Sequence, residues 1–358
     1  MKFISHTLQF FFLFLIHTNV SCRNIPITTN IDKEKTTFVS KKELSYLRDK
    51  SFSEESMSSW SCDQPHFSSA GDKLIFWCYF PFLSEQRQIF IKDLNTSQVK
   101  QVTFLSGTIL DPVFVGSDSF VFSSDTDKRK ELISLEPKES LIDESFLELY
   151  LYDLKEDNSL QLTENQVPEM FTTLYKHIDP KIVFVRRYDD FHLVIIKNLS
   201  NHSEKEIYRT KKTILELSTN NSNNVLIMEK VSDKLQKMVM INFNNQVTEG
   251  PELDLKKHDF FANSDFTQIS YLESKDNKTF LRTYRFADKC EVLNYVFPSY
   301  GISKISPSPL DDQTFVWVEE VQGSRKVKMG TLNFMTSSSC SPLAKATKAK
   351  KFQNKKVF

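Results

Sequence analysis

Hydrophobic and polar positions alternate with turn-forming residues in a pattern that recurs along most of the chain. The clearest copy covers residues 64–104, where a short segment with Pro65 and Phe67 precedes a polar turn at 68–72. Three β-rich runs follow that turn: residues 74–79, 88–94 and 99–104. Apolar runs of this length between turn signals are typical of β-strands. The pattern therefore predicts a four-stranded antiparallel unit of about forty residues.

A second copy of the unit follows, beginning at Asp111-Pro112-Val113-Phe114. Its further strand candidates are residues 120–125, 149–154 and 160–163. The two copies share landmarks at matching places. Asp93-Leu94 corresponds to Asp153-Leu154, and Val102-Thr103 corresponds to Leu162-Thr163. Landmarks that recur in the same order indicate an internal repeat.

Later copies are less regular, but their central strands keep a spacing of about forty to fifty residues, which is typical of propeller blades. They are predicted at residues 181–185 and 192–199, 224–228 and 237–243, 268–272 and 279–284, and 314–318 and 326–332. Since one blade cannot bury both of its faces, the units must stack around an axis and close. We predict an all-β protein, a six-bladed β-propeller of four-stranded antiparallel blades over residues 60–343. A strand candidate at 36–40 is expected to pair with the last blade.

The first copy resembles the repeat of TolB-like β-propellers. That repeat reads roughly P-x-[WF]-S-P-D-G-x-x-[IL]-x-[FY], followed by a strand ending Asp-Leu and a strand ending Leu-Thr. This chain keeps the following landmarks: Pro65, Phe67, Ser68, Gly71, Leu74, Phe76, Asp93, Leu94, Val102 and Thr103. It departs at the turn, where Ser69-Ala70-Gly71-Asp72 replaces Pro-Asp-Gly. The resemblance implies a six-bladed propeller; residues 23–59 are too short for the N-terminal α/β domain of TolB, so no role in the Tol–Pal system is implied.

The first residues have the character of an export signal. Lys2 precedes an apolar run at residues 8–16, and small or polar residues then lead to Ser21-Cys22. The run is too short to span a bilayer comfortably and is followed by polar chain, so a cleaved signal peptide over residues 1–21 is expected. The protein is then periplasmic or outer-membrane-attached in a bacterium, and secreted otherwise. Residues 22–59 are expected to be a polar linker.

Cys22 has two interpretations. The sequence Asn19-Val20-Ser21-Cys22 matches a bacterial lipobox at Val20 and Ser21 but departs from it at Asn19. Lipidation of Cys22 would make the protein a lipoprotein anchored to a membrane, whereas ordinary cleavage near Ser21 would leave the thiol without a role. The basic tail at residues 344–358 is expected to be disordered, with contact to anionic lipid as the alternative.

Four further cysteines follow the signal: Cys62, Cys78, Cys290 and Cys340. In an exported chain they can form two disulfides, with three possible connectivities. Cys78 lies inside an apolar strand, where a buried free thiol is equally plausible. Cys62 and Cys340 lie near the two ends of the repeat array, so a bridge between them would help to close a ring.

Motifs of enzymes and of metal or nucleotide binding are absent from the sequence. There is no Gly-x-Ser-x-Gly, no His-Glu-x-x-His, no Walker loop and no Cys-x-x-Cys, and the net charge of zero gives no basic field for nucleic acid. We predict a non-catalytic protein without cofactor or metal. The histidines are scattered: His66, His177, His192, His202 and His258. Acidic residues in predicted loops fit turn capping better than calcium binding: Asp125, Asp127, Asp189, Asp190, Asp311 and Asp312.

An insertion at residues 126–146 interrupts the second unit between its second and third strands. Long loops in compact domains are functional or disordered, and the apolar residues here argue against pure disorder. The candidate contact residues are Lys128, Arg129, Leu132, Ile133, Leu141 and Ile142. We therefore expect an exported, non-catalytic propeller that binds a protein or cell-envelope component through one face. The alternative is a propeller enzyme, a lyase or hydrolase, with its site in the central channel.

Overall fold

In the computed structural model, the described residues are 51–52, 57, 60–80, 84–103, 105, 108–125, 147–165, 167–176, 179–220, 224–242, 244–263, 267–311, 313–334 and 341–342. Within these ranges the chain consists of β-strands, turns and irregular segments, without helix. Among the same residues there is accordingly no helix with the length and apolar character to cross a membrane.

The strands form six antiparallel sheets that follow one another along the chain. The first blade contains β1 (Ser51–Phe52), β2 (Ser61–Phe67), β3 (Lys73–Phe80), β4 (Ser84–Asp93) and β5 (Val99–Gln101). The second contains β6 (Ile109–Phe114), β7 (Ser119–Ser124), β8 (Glu148–Asp153) and β9 (Asn158–Gln161). The third contains β10 (Glu169–Lys176), β11 (Lys181–Arg187), β12 (His192–Asn198) and β13 (Glu204–Thr210).

The other three blades follow the same order. The fourth contains β14 (Ile214–Thr219), β15 (Val225–Lys230), β16 (Leu235–Ile241) and β17 (Val247–Asp254). The fifth contains β18 (Lys257–Ala262), β19 (Gln268–Lys275), β20 (Lys278–Arg285) and β21 (Cys290–Phe297), with β25 (Ser341–Pro342) added at the edge. The described part of the sixth contains β22 (Ile302–Pro307), β23 (Thr314–Val321) and β24 (Ser324–Thr331).

The first strand of every blade lies at the centre of the molecule. These strands contact one another in a closed cycle that runs β2, β6, β10, β14, β18, β22 and back to β2. In a propeller the strands in this position line the central channel. The six-bladed propeller predicted from the repeat is therefore confirmed.

Apolar side chains hold neighbouring blades together. Six clusters of buried residues each join adjacent blades, and the third and fourth blades, for example, meet through Val183, Val194 and Ile227. Fully burying one such side chain stabilises the fold by about 1.5–3 kcal/mol. The second and third strands of a blade are apolar on both sides because each blade is covered by two neighbours.

The sixth and first blades close the ring through apolar packing. Val316 of β23 packs in one cluster with Cys62, Phe76 and Phe90 of the first blade. Cys62 is disulfide-bonded to Cys78 on the neighbouring strand, with a Cα–Cα distance of 4.0 Å. The expected Cys62–Cys340 bridge is therefore wrong, because the register of β2 and β3 places Cys62 opposite Cys78. Cys290 is also in a disulfide.

The repeat pattern located the second and third strands of each blade but missed several outer strands. The strands β13 and β17, at the outer edges of their blades, are mostly polar and exposed, so they carry no apolar run to find. The first strand of the fourth blade, β14, was also missed. Several predictions lie outside the described residues, namely the signal peptide, Cys22, the 36–40 strand, the insertion contacts, Cys340 and the basic tail.

Candidate functional site in the central channel

The first strands of the six blades share a local distortion. Register shifts, the mark of β-bulges, interrupt the pairing of the first and second strands in every blade. At the bulge, five residues have positive φ angles between 49° and 56°: Gln64, Asp111, Phe171, Asp259 and Lys304. Bulges redirect side chains out of the regular alternation of a strand. Here they bring polar groups from successive blades together at the channel.

In the first three blades the bulges are linked by hydrogen bonds. The Gln64 Oε1 atom accepts the Asp111 backbone N–H at 2.7 Å, and Gln64 Nε2 donates to Asp111 Oδ1 at 2.6 Å. Asp111 Oδ2 in turn accepts the Phe171 N–H at 2.6 Å. The indole N–H of Trp77 fixes Gln64 by donating to the same Oε1 at 2.7 Å. The first and second blades thus each supply an acceptor for the bulge amide of the next blade.

The last three blades repeat this arrangement. Glu216 lies next to the bulge of β14 and accepts the N–H groups of Asp259 and Phe260, the former at 3.0 Å. Asp259 Oδ2 accepts the Lys304 N–H at 2.7 Å. We call the hydrogen-bonded series Gln64–Asp111–Phe171 the first arc, and the series Glu216–Asp259–Lys304 the second arc.

Each arc ends at a residue whose side chain is not an acceptor. After Phe171, the third and fourth blades are joined by hydroxyl groups: Thr173 Oγ1 and Thr219 Oγ1 are 3.0 Å apart, and Thr219 donates to the Leu174 carbonyl at 2.5 Å. After Lys304, the sixth and first blades are joined by an ion pair between Arg325 and Asp63. The channel is therefore surrounded by two arcs with two seams.

Lys304 is the positive centre of the channel. Its Nζ lies 3.5 Å from Asp259 Oδ1. The negative charge of Asp259 raises the pKa of Lys304 against the opposing effect of burial, and Glu216, Asp63 and Asp111 add to it. The ammonium is therefore fully charged at neutral pH. Its side chain is 41% exposed.

The pKa values of the two aspartates in the arcs are shifted in opposite directions. Burial raises the pKa of Asp111, although backbone amides and Lys304 oppose it. Burial also acts on Asp259, but Lys304 and His258 outweigh it and hold the pKa of Asp259 below its usual range. Burial and the charge of Asp259 together raise the pKa of Glu216 to about 7.

Two of the scattered histidines reach this region. His258 Nδ1 lies 2.7 Å from Asp259 Oδ2, and this contact raises the pKa of His258 above its usual value although burial opposes it. Burial, assisted by Lys304, lowers the pKa of His66 to about 4, so that ring is neutral. His192 lies elsewhere, where its Nδ1 accepts the Ile214 N–H at 3.2 Å. His202 sits on an exposed turn after β12, while His177 lies outside the described residues.

The described acidic loop residues do not join the channel site, and Asp127 and Asp312 lie outside the described residues. Asp311 caps its own turn by accepting the N–H groups of Gln313 and Thr314 at 2.9 and 2.6 Å. Asp125 accepts the Thr108 N–H, and Asp189 and Asp190 are exposed. In the described part of the chain, no group of three or more His, Cys, Asp or Glu residues is arranged to hold a metal ion.

The residues of the two arcs were not predicted as site residues from the sequence. Asp111 was only the first residue of a predicted unit, and no chemical role was predicted for Glu216, Asp259 or Lys304. One signal was available, because Gln64-Pro65 and Asp111-Pro112 place a polar residue before proline at the same position of two units. Proline lacks the amide that a regular ladder needs, so the pair marks a bulge.

No protein-family model and no curated protein matches the sequence. Among solved structures, TolB from Acinetobacter baumannii is similar with a TM-score of 0.50 and 15% identity, over 67% of this chain and 55% of that one. An oligogalacturonate lyase in complex with manganese has a TM-score of 0.48 and 12% identity, over 79% and 96%. The β-propeller domain of the Trilobed protease from Pyrococcus furiosus has a TM-score of 0.46 and 10% identity, over 82% and 99%.

These identities show the fold alone. The described residues form a six-bladed β-propeller with a channel lined by the first strand of each blade. In its fold the protein is a TolB-like propeller, as the repeat in residues 64–104 implied. The matched region spans about half of the TolB chain, 55%, so the activity and partners of that whole protein are not transferred.

Proposed function

We propose that the protein is an exported propeller that binds a protein or cell-envelope component through one face, with residues 126–146 as the main contact. The strands that flank this insertion carry the proposal. They pair without a register shift from Ser119↔Asp153 to Ser124↔Glu148. Asp125 and Leu147, which lie where the insertion leaves and rejoins the blade, are 3% and 0% exposed. The blade is therefore complete without the insertion.

The position of the insertion in the blade supports a role in binding. In antiparallel blades, the connection between the second and third strands emerges on the same face as the connections between blades. The insertion therefore has neighbouring loops with which to form a continuous surface. Its residues combine two kinds of contact, because Lys128 and Arg129 offer charge, whereas Leu132, Ile133, Leu141 and Ile142 offer apolar anchors.

The experiment is a pull-down of partners from the solubilised envelope fraction with the mature protein as bait. Replacing residues 127–145 by a short Gly-containing turn should abolish capture and leave the thermal unfolding temperature nearly unchanged. A variant with Leu132, Ile133, Leu141 and Ile142 changed to Ala should weaken capture. The matched control changes Leu160 and Met329 to Ala, two apolar residues that are 52% and 45% exposed elsewhere on the propeller. Unchanged capture after the deletion, or a collapse of stability, contradicts the proposal.

Attachment to a membrane through Cys22 is part of the same proposal, because the lipobox match at Val20 and Ser21 supports it. Metabolic labelling with a palmitate analogue should mark the wild-type protein. The label should disappear in Cys22→Ala. A wild-type protein that takes up no label would mean ordinary cleavage and a freely diffusing product.

A channel enzyme is the second candidate, and one observation favours it. Glu216, Asp259 and Lys304 meet with His258 at the channel, which brings carboxylates, an amine and an imidazole together. A carboxyl with a pKa near 7 suits a general acid or base. The test is a panel of p-nitrophenyl glycosides. Turnover should fall strongly in Glu216→Gln and persist in the insertion deletion; turnover that survives Glu216→Gln places any reaction elsewhere.

A further inference from the structure

A serine hydroxyl lies on the far side of the His258 ring from Asp259. Ser274 Oγ is 3.4 Å from His258 Nε2, while His258 Nδ1 is 2.7 Å from Asp259 Oδ2. A carboxylate beside Nδ1 fixes the tautomer with the proton on that nitrogen, so Nε2 of the neutral ring is an acceptor. The Ser274 hydroxyl is then oriented to donate to Nε2. Hydroxyl, imidazole and carboxylate form a continuous chain.

The bulge of β18 makes this arrangement possible. His258 and Asp259 are consecutive, and consecutive residues of a regular strand point to opposite faces. The register shift between His258 and Phe261, together with a φ of 53° at Asp259, turns the two side chains toward each other. Ser274 comes from the end of the neighbouring strand, β19, just before the turn at Asp276 and Asn277.

Asp259 is held rigidly on its other side. Its carboxylate accepts the Lys304 backbone N–H at 2.7 Å and lies 3.5 Å from the Lys304 ammonium. The residue is only 8% exposed. A carboxylate held in this way stays ionised and keeps the imidazole in one orientation, which is the task of the acid in a Ser-His-Asp triad.

We propose that Ser274, His258 and Asp259 form a catalytic triad that hydrolyses carboxylic esters reaching this face of the propeller. Ser274 is the nucleophile, His258 the general base and Asp259 the residue that orients it. This activity goes beyond partner binding and does not depend on it, because all three residues belong to the fifth blade and the insertion belongs to the second.

The reaction needs no cofactor. Ser274 Oγ forms a bond to the ester carbonyl carbon while His258 Nε2 takes the hydroxyl proton. The tetrahedral adduct then expels the alcohol as the ester C–O bond breaks, and the proton passes from Nε2 to the leaving oxygen. Water attacks the acyl-enzyme in the same way, giving the carboxylic acid and restoring the serine; Asp259 remains ionised throughout.

The triad is open to a substrate. The His258 side chain is 33% exposed and Ser274 is half-buried, near the turn between β19 and β20. That turn joins the second and third strands of its blade, so it emerges on the same face as the insertion. Among the described residues the Ser274 hydroxyl has no other hydrogen-bond partner than His258, and it is therefore free to align with an incoming carbonyl.

A purely structural role for His258 makes different predictions. As a counter-charge to Asp259, the ring would leave the serine unreactive, and Ser274→Ala would have no chemical consequence. As a general base, it makes Ser274 more nucleophilic than any ordinary surface serine. A reagent that acylates or phosphonylates only activated serines therefore separates the two roles.

The experiment uses the full mature protein with a fluorophosphonate probe, followed by mass mapping of the labelled peptide. The label should fall on Ser274 and be lost in Ser274→Ala. The matched control is Ser270→Ala in the same strand, where the hydroxyl is 2.7 Å from Thr283 Oγ1 instead of a histidine; it should keep full labelling. Hydrolysis of p-nitrophenyl acetate should fall about 10²–10⁴-fold in His258→Gln.

The pH profile gives a second readout. The groups that face His258 are Asp259, Glu216 and Lys304, and the carboxylates outweigh the lysine and burial, so the pKa of His258 lies above 6.5. Hydrolysis should rise with pH through that pKa, and Asp259→Asn should move the rise to lower pH while reducing the rate. The proposal is overturned if Ser274→Ala keeps the label, if another serine carries it, or if rates do not change with pH. Deletion of the insertion should leave labelling intact even where it abolishes partner capture.

Discussion

The first and second arcs have the same geometry and different charges. Asp111 and Asp259 occupy equivalent bulges, and each accepts the bulge amide of the next blade at 2.6 and 2.7 Å. The residue that supplies this amide is Phe171 in one arc and Lys304 in the other. These backbone hydrogen bonds join the blades, and they do not need the ammonium group of Lys304. The charges of the second arc are therefore additional to what the fold requires.

The residue before each aspartate also differs in charge between the two arcs. Leu110 precedes Asp111, whereas His258 precedes Asp259. One aspartate has a raised pKa set by burial and the other a lowered pKa set by two cationic neighbours. The first arc therefore serves as an internal reference for the second. Substitutions made in pairs, one in each arc, separate the contribution of the blade contact from that of the charge.

The largest difference is expected between Asp259→Asn and Asp111→Asn. Asp259→Asn leaves the Lys304 ammonium without its ion-pair partner, which should cost about 3 kcal/mol; this is at the low end for a buried pair because the ammonium is partly exposed. Asp111→Asn should cost about 1 kcal/mol, the value of one hydrogen bond. Urea unfolding of both variants measures the difference. Equal losses would mean that Lys304 contributes nothing to the second arc.

A smaller effect is expected from Lys304→Met, which makes the second arc resemble the first. Because the pKa of Asp259 is depressed in the folded protein, this group stabilises the fold above its unfolded pKa, and the contribution is lost as the pH falls below about 4. In Lys304→Met the pKa of Asp259 should rise, so the acid-dependent loss should shrink. Unfolding free energies between pH 2 and pH 7 report it, and identical curves for both proteins would contradict this account. Lys328→Met, at an exposed position of β24, is the control.

The smallest effect is expected at the start of each arc, where Glu216 corresponds to Gln64. A carboxyl whose pKa is raised to about 7 favours folding while it is protonated, so its contribution is full below the unfolded pKa and is lost as the pH rises from about 4.5 through 7. Glu216→Gln should remove this loss. The stability difference between pH 5 and pH 8 should therefore be smaller in the variant, by chemical denaturation at both pH values. A difference that is unchanged would assign the pH dependence to other groups.

The fold was predictable from the sequence because it depends on local, repeated features. The run at 74–79 lies within β3, and the landmarks Asp93-Leu94 and Asp153-Leu154 fall where β4 and β8 end. Because every blade must bury two faces, each of its middle strands is a nearly continuous apolar run. The repeat therefore predicted the architecture even though its later copies are less regular.

The channel residues were not predictable in the same way. Asp111 meets Phe171 across 60 positions of sequence, and Glu216 meets Phe260 across 44. Their contacts depend on bulges that leave no hydrophobic pattern. The charges of the second arc add a further difficulty, since Lys304 of the sixth blade helps to lower the pKa of Asp259 in the fifth, against the effect of burial. Such coupling appears only once the ring is closed.

The seam between the third and fourth blades has a consequence for how the chain could be reconnected. It lies at the end of an arc, as does the seam between the sixth and first blades, and its polar contacts are those of Thr173, Thr219 and the Leu174 carbonyl. A circular permutant that opens the chain between Thr210 and Ile214 would keep both arcs whole. One that opens it between Lys256 and Lys257 would cut the connection that carries Glu216 to Asp259. The seam between the third and fourth blades is thus a place where new termini fit, half a turn away from the seam between the sixth and first blades.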